Sequence, residues 1–170
     1  MIKMAKFDRF IQNKILRPAR QKQVAKLINK LSGKTILDIG CMDLSLSKLL
    51  SKRFQYTGLD PEPLNDKDKI KKITIEELKD NDNYDIIIAT EVLEHLDNPI
   101  EIINKIKKLS NKFIVLSVPN EPFFSFFRLF VPASEHLWTI FPQTLKKHLG
   151  KPLFEKKILF NRHYLALWKV

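Results

Sequence analysis

Residues 36–46 read ILDIGCMDLSL. Three apolar residues, Ile36, Leu37 and Ile39, carry an aspartate, Asp38, into a glycine, Gly40, and the chain then turns with no further small residue where Met42 and Leu44 stand. A buried strand that ends in an acid and a glycine is the signature of a parallel sheet whose carboxyl edge holds a ligand. Outward from it the pattern alternates. TILDIG predicts a strand, SLSKLLSKRF a helix, YTGLD and KKITI two strands, YDIIIAT a strand, PIEIINKIKKLS a helix and KFIVLSVP a strand. Asn98 before Pro99, with Glu101 three residues after Asn98, marks a helix start, and Ile102, Ile103, Ile106 and Leu109 give that helix its buried face.

The two ends differ from this core. Upstream, Val24, Leu27, Ile28 and Leu31 form a helical stripe ended by Ser32-Gly33. A further helix is expected around Phe7, Phe10, Ile11 and Ile15, ending near Pro18. Downstream, LFEKKILF and HYLALWKV are separated by too few residues for a helical crossover and must pair antiparallel. The expectation is an α/β three-layer sandwich: a seven-stranded, mostly parallel, Rossmann-like sheet with a C-terminal antiparallel hairpin and its last two strands reversed. One domain spans 1–170, with basic helices over 1–33, a ligand-binding half over 34–120, a substrate cover over 121–150 and the hairpin over 151–170.

Composition fits a compact soluble fold. The 170 residues are 44% hydrophobic and 29% charged, and a chain of this length buries about two thirds of its unfolded surface. Thirty Lys and Arg against nineteen Asp and Glu give a net charge of +11. That excess makes nucleic acid or an acidic membrane surface a candidate partner, or reflects lysines that only solvate the surface. A lone cysteine, Cys41, and the lack of an apolar leader in MIKMAKFDRFIQNK point to the cytoplasm, and no transmembrane segment is expected.

The unusual residues gather at the carboxyl ends of the predicted strands. Asp60 closes strand 2, where a carboxylate can accept two ribose hydroxyls; it is also good turn chemistry before Pro61. The order ILDIGC, GLDPEP, ITIEELKDNDNYDIIIATEVLEHLDNP and FIVLSVPNEPFF resembles the class I S-adenosylmethionine-dependent methyltransferases, in particular the small single-domain group with an EVLEH segment after strand 4. The resemblance runs from about Thr35 onward. It implies S-adenosylmethionine as cofactor and a hydrophobic small-molecule or lipid-like methyl acceptor. Residue by residue it implies that Asp38 sits near the methionine amino group and that Gly40, Cys41 and Met42 pass the cofactor with their backbone. Asp60, with Pro61 beside it, would hold the ribose; Ile75 would border the adenine; Glu91 and Val92 would floor the site. A dinucleotide enzyme is disfavoured because the loop lacks G-x-G-x-x-G.

This chain departs from the family pattern at Met42 and Leu44, where glycines are usual, and at Thr74, where an acid is common. A side chain forced to positive φ costs about 1–3 kcal/mol, or roughly ten- to a hundredfold in affinity. The alternative to a working methyltransferase is therefore a weak or inactive binding module for RNA or a protein partner.

Methyl transfer relies mainly on alignment and exclusion of water, and an oxygen acceptor gains from a base or a metal. Glu94, His95 and His136 are the candidate catalytic groups. In EVLEH, Glu91, Glu94 and His95 at i, i+3 and i+4 are expected on one helical face, and with His136 they could hold Mg, Mn or Zn. The opposing expectation is that no metal is bound and these residues orient the loop. Phe123, Phe124, Phe126, Phe127, Phe130 and Trp138 read either as a hydrophobic lid, as one face of a core helix, or as stacking platforms for RNA.

Overall fold

The computed structural model describes residues 12–64, 68–120 and 137–170. A π-helical turn at Gln12–Leu16 runs into helix α1 (Arg17–Ile28). Strands β1 (Thr35–Ile39), β2 (Gln55–Leu59), β3 (Ile70–Lys71) and β4 (Tyr84–Thr90) follow. Helix α2 (Pro99–Leu109), β5 (Ser110–Pro119), α3 (Pro142–Leu149), β6 (Phe154–Ile158) and β7 (His163–Lys169) complete the described elements. They form a seven-stranded sheet in the order β3-β2-β1-β4-β5-β7-β6.

Side-chain alternation sorts the core into two layers. Ile36, Ile86, Ile88, Val115, Leu165 and Leu167 pack under α1 through Val24 and Ile28. Their neighbours Leu37, Ile87, Ala89, Ile114, Leu116 and Trp168 pack on the opposite side against Ile102, Ile103 and Ile106 of α2 and Leu145 of α3. Both faces are covered, which is why the central strands read as unbroken apolar runs. Helix α2 starts as its sequence dictates: Asn98 accepts the Glu101 N–H at 3.3 Å and returns its amide to the Glu101 carboxylate at 2.9 Å. The predicted buried face, Ile102, Ile103, Ile106 and Leu109, is entirely buried.

Four expectations are corrected. Strand β7 pairs antiparallel with both β5 and β6, so β6 runs parallel to the rest and only β7 is reversed; a hairpin fixes the relative direction of its two arms, not which arm reaches the sheet. The helix expected over residues 45–54 is only a 3-10 turn, Ser47–Leu49. Asn29 at the end of α1 accepts the Ser51 N–H at 2.8 Å and donates to the Leu49 carbonyl at 3.1 Å, which removes the groups a longer helix would pair internally. Strand β3 stops at Lys71 because the Thr74 N–H turns to the Glu77 carboxylate, 2.7 Å away. Pro18 does not end an upstream helix; it occupies the first turn of α1, where its missing N–H is not needed. Phe7, Phe10 and Ile11 lie outside the described residues. Among the described residues no helix is long and apolar enough to cross a membrane.

Candidate functional site

The face of the sheet beneath α1 becomes polar at its carboxyl edge. Counting by twos from the buried Ile36, Ile88, Val115 and Leu165 leads to Asp38 on β1, Thr90 on β4, Ser117 on β5 and His163 on β7. A cavity of about 160 Å³ opens there, lined by Arg17, Arg20 and Gln21 of α1, Asp38, the turn Gly40-Cys41-Met42 with Leu46, and Thr90 and Glu91.

The β1 turn is built on positive φ. Gly40 has φ +64°, and a Cβ there would collide with Val92 Cγ2, so Val92 closes the turn from above and only glycine fits. Met42 has φ +60°. The missing glycine at 42 therefore carries the strain its sequence announced, whereas Leu44 is not among the positive-φ residues. Asp60 holds the strained residue: its Oδ2 accepts the Met42 N–H at 2.7 Å, and its Oδ1 accepts the Glu62 N–H at 3.0 Å. The second bond is the turn anticipated for Asp60 before Pro61. Both oxygens keep a further lone pair for a hydroxyl. Replacing Met42 by glycine removes a left-handed side-chain penalty of about 1–2 kcal/mol, and thermal denaturation of Met42→Gly is expected to show a melting temperature higher by a few degrees.

Charge is arranged in opposed pairs. Asp38 is buried and accepts the Tyr56 hydroxyl at 2.6 Å. Burial pushes its carboxyl up to about 7, against the lowering effects of the Tyr56 bond and the Arg17 charge. Arg17 makes a two-pronged contact with Asp43, at 2.8 and 3.2 Å, and reaches the Cys41 carbonyl at 3.3 Å. Arg20 is only 8% exposed, lines the cavity, and its Nε has no hydrogen-bond partner among the described residues. Burial also pushes the Cys41 thiol up to about 12. Cys41 thus contributes backbone, while its sulfur fills the space that a Cβ at Gly58 would enter at 2.7 Å.

Glu91 leaves β4 with φ +58°. Its Oε1 accepts the Ser117 hydroxyl at 2.8 Å and its Oε2 lies 2.9 Å from His163 Nδ1. Burial raises this carboxyl, but the His163 bond, the Arg20 charge and Ser117 outweigh burial and hold it well below the usual carboxylate range. Here the helical-face expectation is corrected. The 3-10 turn covers only Leu93–His95, and the left-handed backbone of Glu91 sends its carboxylate to β5 and β7, away from Glu94 and His95. Glu94 is buried, with its carbonyl receiving the Leu137 and Trp138 N–H groups at 2.9 and 3.1 Å, and His95 is exposed. No group of three or more His, Cys, Asp or Glu among the described residues could hold a metal ion. His136, and Phe123, Phe124, Phe126, Phe127 and Phe130, lie outside the described residues; Trp138 is half exposed.

Of the sequence-derived cofactor residues, Asp38, Gly40, Cys41, Met42 and Glu91 line the cavity. Asp60, Pro61 and Val92 do not, although Asp60 and Val92 brace the turn that does. Ile75 is buried in the layer beneath α2 and α3, on the other side of the sheet. The residues missed were Arg17, Arg20, Gln21 and Leu46. A signal for the arginines existed: the buried stripe Ile28, Val24 extended backward by four residues falls on Arg20, and three more reach Arg17.

A sheet in the order 3-2-1-4-5-7-6 with a reversed seventh strand, and a charged cavity at the carboxyl ends of β1 and β4, define the class I methyltransferase fold. The methyltransferase-domain family model matches residues 12–156, and the chain belongs to that family. Over 114 residues it is 32% identical to a ubiquinone biosynthesis O-methyltransferase of Actinobacillus pleuropneumoniae, covering 56% of this chain and 49% of the relative. With the protein of the same name from Rhodopseudomonas palustris, identity is 28% over 175 residues, 86% of this chain and 69% of the relative. The chain spans about half the length of most of the curated relatives it matches. In fold it is similar to magnesium protoporphyrin IX methyltransferase from Synechocystis with bound S-adenosylhomocysteine, with a TM-score of 0.70 at 15% identity over 97% of this chain and 94% of the other. It is also similar to the N-methyltransferase NodS from Bradyrhizobium japonicum, with a TM-score of 0.68 at 16% identity over 94% and 89%.

Proposed function

We propose that the chain binds S-adenosylmethionine in the cavity beneath α1 and directs methyl transfer to a small, apolar, hydroxyl-bearing acceptor. The observation that carries this reading is the pairing, across one small cavity, of a buried carboxyl and a buried guanidinium with an open donor. The methionine end of the cofactor bears an ammonium and a carboxylate, and Asp38 and Arg20 are complementary to them in that order. The left-handed Gly40 turn leaves the room that a Cβ would fill. When bound, the cofactor supplies an electrophilic methyl group on a sulfonium. The protein's part is to fix both charged ends, to brace the turn through Asp60 and Val92, and to keep Glu91 ionised beside Arg20. Hydroxyl acceptors are favoured by the similarity to ubiquinone biosynthesis O-methyltransferases, and apolar ones by the phenylalanines of residues 121–136.

Calorimetric titration with S-adenosylhomocysteine tests the first half of this reading. One site per chain with a micromolar dissociation constant is expected. No heat, with no shift of melting temperature at millimolar ligand, would instead establish a retired site. That second reading is favoured by one observation, the strain retained at Met42, and it leaves the sheet as a binding module for RNA or a protein partner.

Proton linkage follows from Asp38. A cationic ligand favours the ionised carboxylate, so below about pH 7 binding must expel a proton, and above it none. S-Adenosylhomocysteine affinity is expected to rise with pH by up to about tenfold per unit below 7 and then level off. The rise should be absent in Asp38→Asn. A flat profile in the unsubstituted protein between pH 5.5 and 8 (roughly the range in which such a group titrates) would remove Asp38 from the ammonium site.

A further inference from the structure

The turn between β6 and β7 holds three consecutive residues in left-handed backbone: Leu159 at φ +53°, Phe160 at +56° and Asn161 at +64°. Asparagine tolerates this region; leucine and phenylalanine do not. The turn persists because Asn120, itself buried at the end of β5, grips it from beneath. Its side-chain amide donates to the Asn161 carbonyl at 2.7 Å and its N–H to the Arg162 carbonyl at 2.9 Å. What this strained turn displays is Phe160, 94% exposed. Leu159 packs against the core layer beneath α1, but the strain at Phe160 secures no burial for its own ring, which marks a displayed group more than a packing solution.

Phe160 is not alone at this end of the sheet. Strand β6 runs parallel to β5, so its turn lies at the carboxyl edge, as does the start of α3. Phe141 precedes that helix, and Leu137 and Trp138 are tied to the Glu94 carbonyl in the loop after β4. All three are large apolar residues at least two fifths exposed. Beside the turn, Lys146, Lys156 and Lys157 border an open groove of about 430 Å³ with Asn120 and Tyr164. Its one acid, Glu155, is already engaged by Lys146 at 2.7 Å and by the Tyr164 hydroxyl at 2.7 Å, which leaves the rim positive.

We propose that this rim docks on an anionic lipid surface, with Phe160 entering the boundary between headgroups and acyl chains and Lys156 and Lys157, on opposite faces of edge strand β6, reaching the phosphates on either side of it. An aromatic tip flanked by lysines has both elements of interfacial anchoring, apolar insertion and charge attraction, and the net charge of +11 acts in the same direction. Single-stranded RNA would stack on the rings of Phe160, Trp138 and Phe141 but would leave the exposed aliphatic Leu137 without a partner, whereas an acyl-chain boundary accepts all four. The docking does not depend on cofactor binding.

The test is co-sedimentation with vesicles of phosphatidylcholine alone and of phosphatidylcholine mixed with phosphatidylglycerol, using the full chain and Phe160→Asn. The full chain is expected to sediment with the mixed vesicles and not with phosphatidylcholine alone. Because asparagine suits the left-handed region, Phe160→Asn should melt a few degrees higher while its vesicle affinity falls by roughly tenfold or more. Three results would each overturn the proposal: no sedimentation with anionic vesicles, equal sedimentation of the variant, or a lowered melting temperature in the variant, which would mean that Phe160 supports the fold. Retention on polyuridylate that depends on Phe160, without vesicle binding, would overturn it in favour of RNA.

Discussion

Gly40→Ala is expected to lower stability by about 2–5 kcal/mol and to abolish measurable S-adenosylhomocysteine binding. Two effects act at one atom. An alanine at φ +64° takes the left-handed penalty of about 1–2 kcal/mol, and its Cβ collides with Val92 Cγ2. Val92 cannot retreat freely because the next residue, Leu93, is fully buried in the core beneath α2. Relief by rotating the turn to negative φ would break the bond from the Gly40 N–H to the Leu59 carbonyl, 2.8 Å long, and would move the backbone that lines the cavity. Urea denaturation measures the first effect and calorimetric titration the second. A melting temperature within a degree of the parent would show that the turn does not need its left-handed residue.

Arg20→Met should separate binding from folding. Methionine keeps the apolar stem in the stripe with Val24 and Ile28, and Glu91 retains Ser117 and His163, so stability is expected to change by less than about 1.5 kcal/mol. Cofactor affinity should fall by about 1.5–3 kcal/mol, or roughly ten- to a hundred-and-fiftyfold, through loss of a charge-assisted bond to a carboxylate. The control is a ligand that lacks the carboxylate: 5′-methylthioadenosine should bind both proteins equally. If Arg20→Met weakens both ligands alike, Arg20 shapes the pocket wall and does not read the carboxylate.

The elements visible in the sequence were those decided locally. The Asn98–Glu101 cap and the spacing of Ile102, Ile103, Ile106 and Leu109 fix α2 without help from elsewhere, and the doubly buried strands β1, β4 and β5 announce themselves by unbroken apolar runs. Met42 was legible as strained because a glycine was missing from a turn that requires positive φ. Features that failed depend on partners far along the chain. Asn29, twenty residues away, ends the 3-10 turn at Leu49, and the left-handed Glu91 answers to Ser117 and His163, which no helical spacing within EVLEH reveals. Asp60 was correctly seen as belonging to the carboxyl edge, but its first role is to hold Met42. The two arginines carry no apolar signal, although a buried face that turns cationic for its first turn still has the same period.

The position of β7 has a consequence for how the chain reaches this state. Strand β6 precedes β7 in the chain yet ends at the outer edge, and the strand between β6 and β5 is the later one. On a ribosome, β6 therefore emerges before it has any surface to zip onto. It must wait until His163–Lys169 arrives to pair simultaneously with β5, 44 to 56 positions earlier, and with β6 itself. Intermediates halted in that interval carry the flank of β5 unzipped, with Val115 and Leu116 beside it, and such an unpaired apolar edge is where misassembly begins.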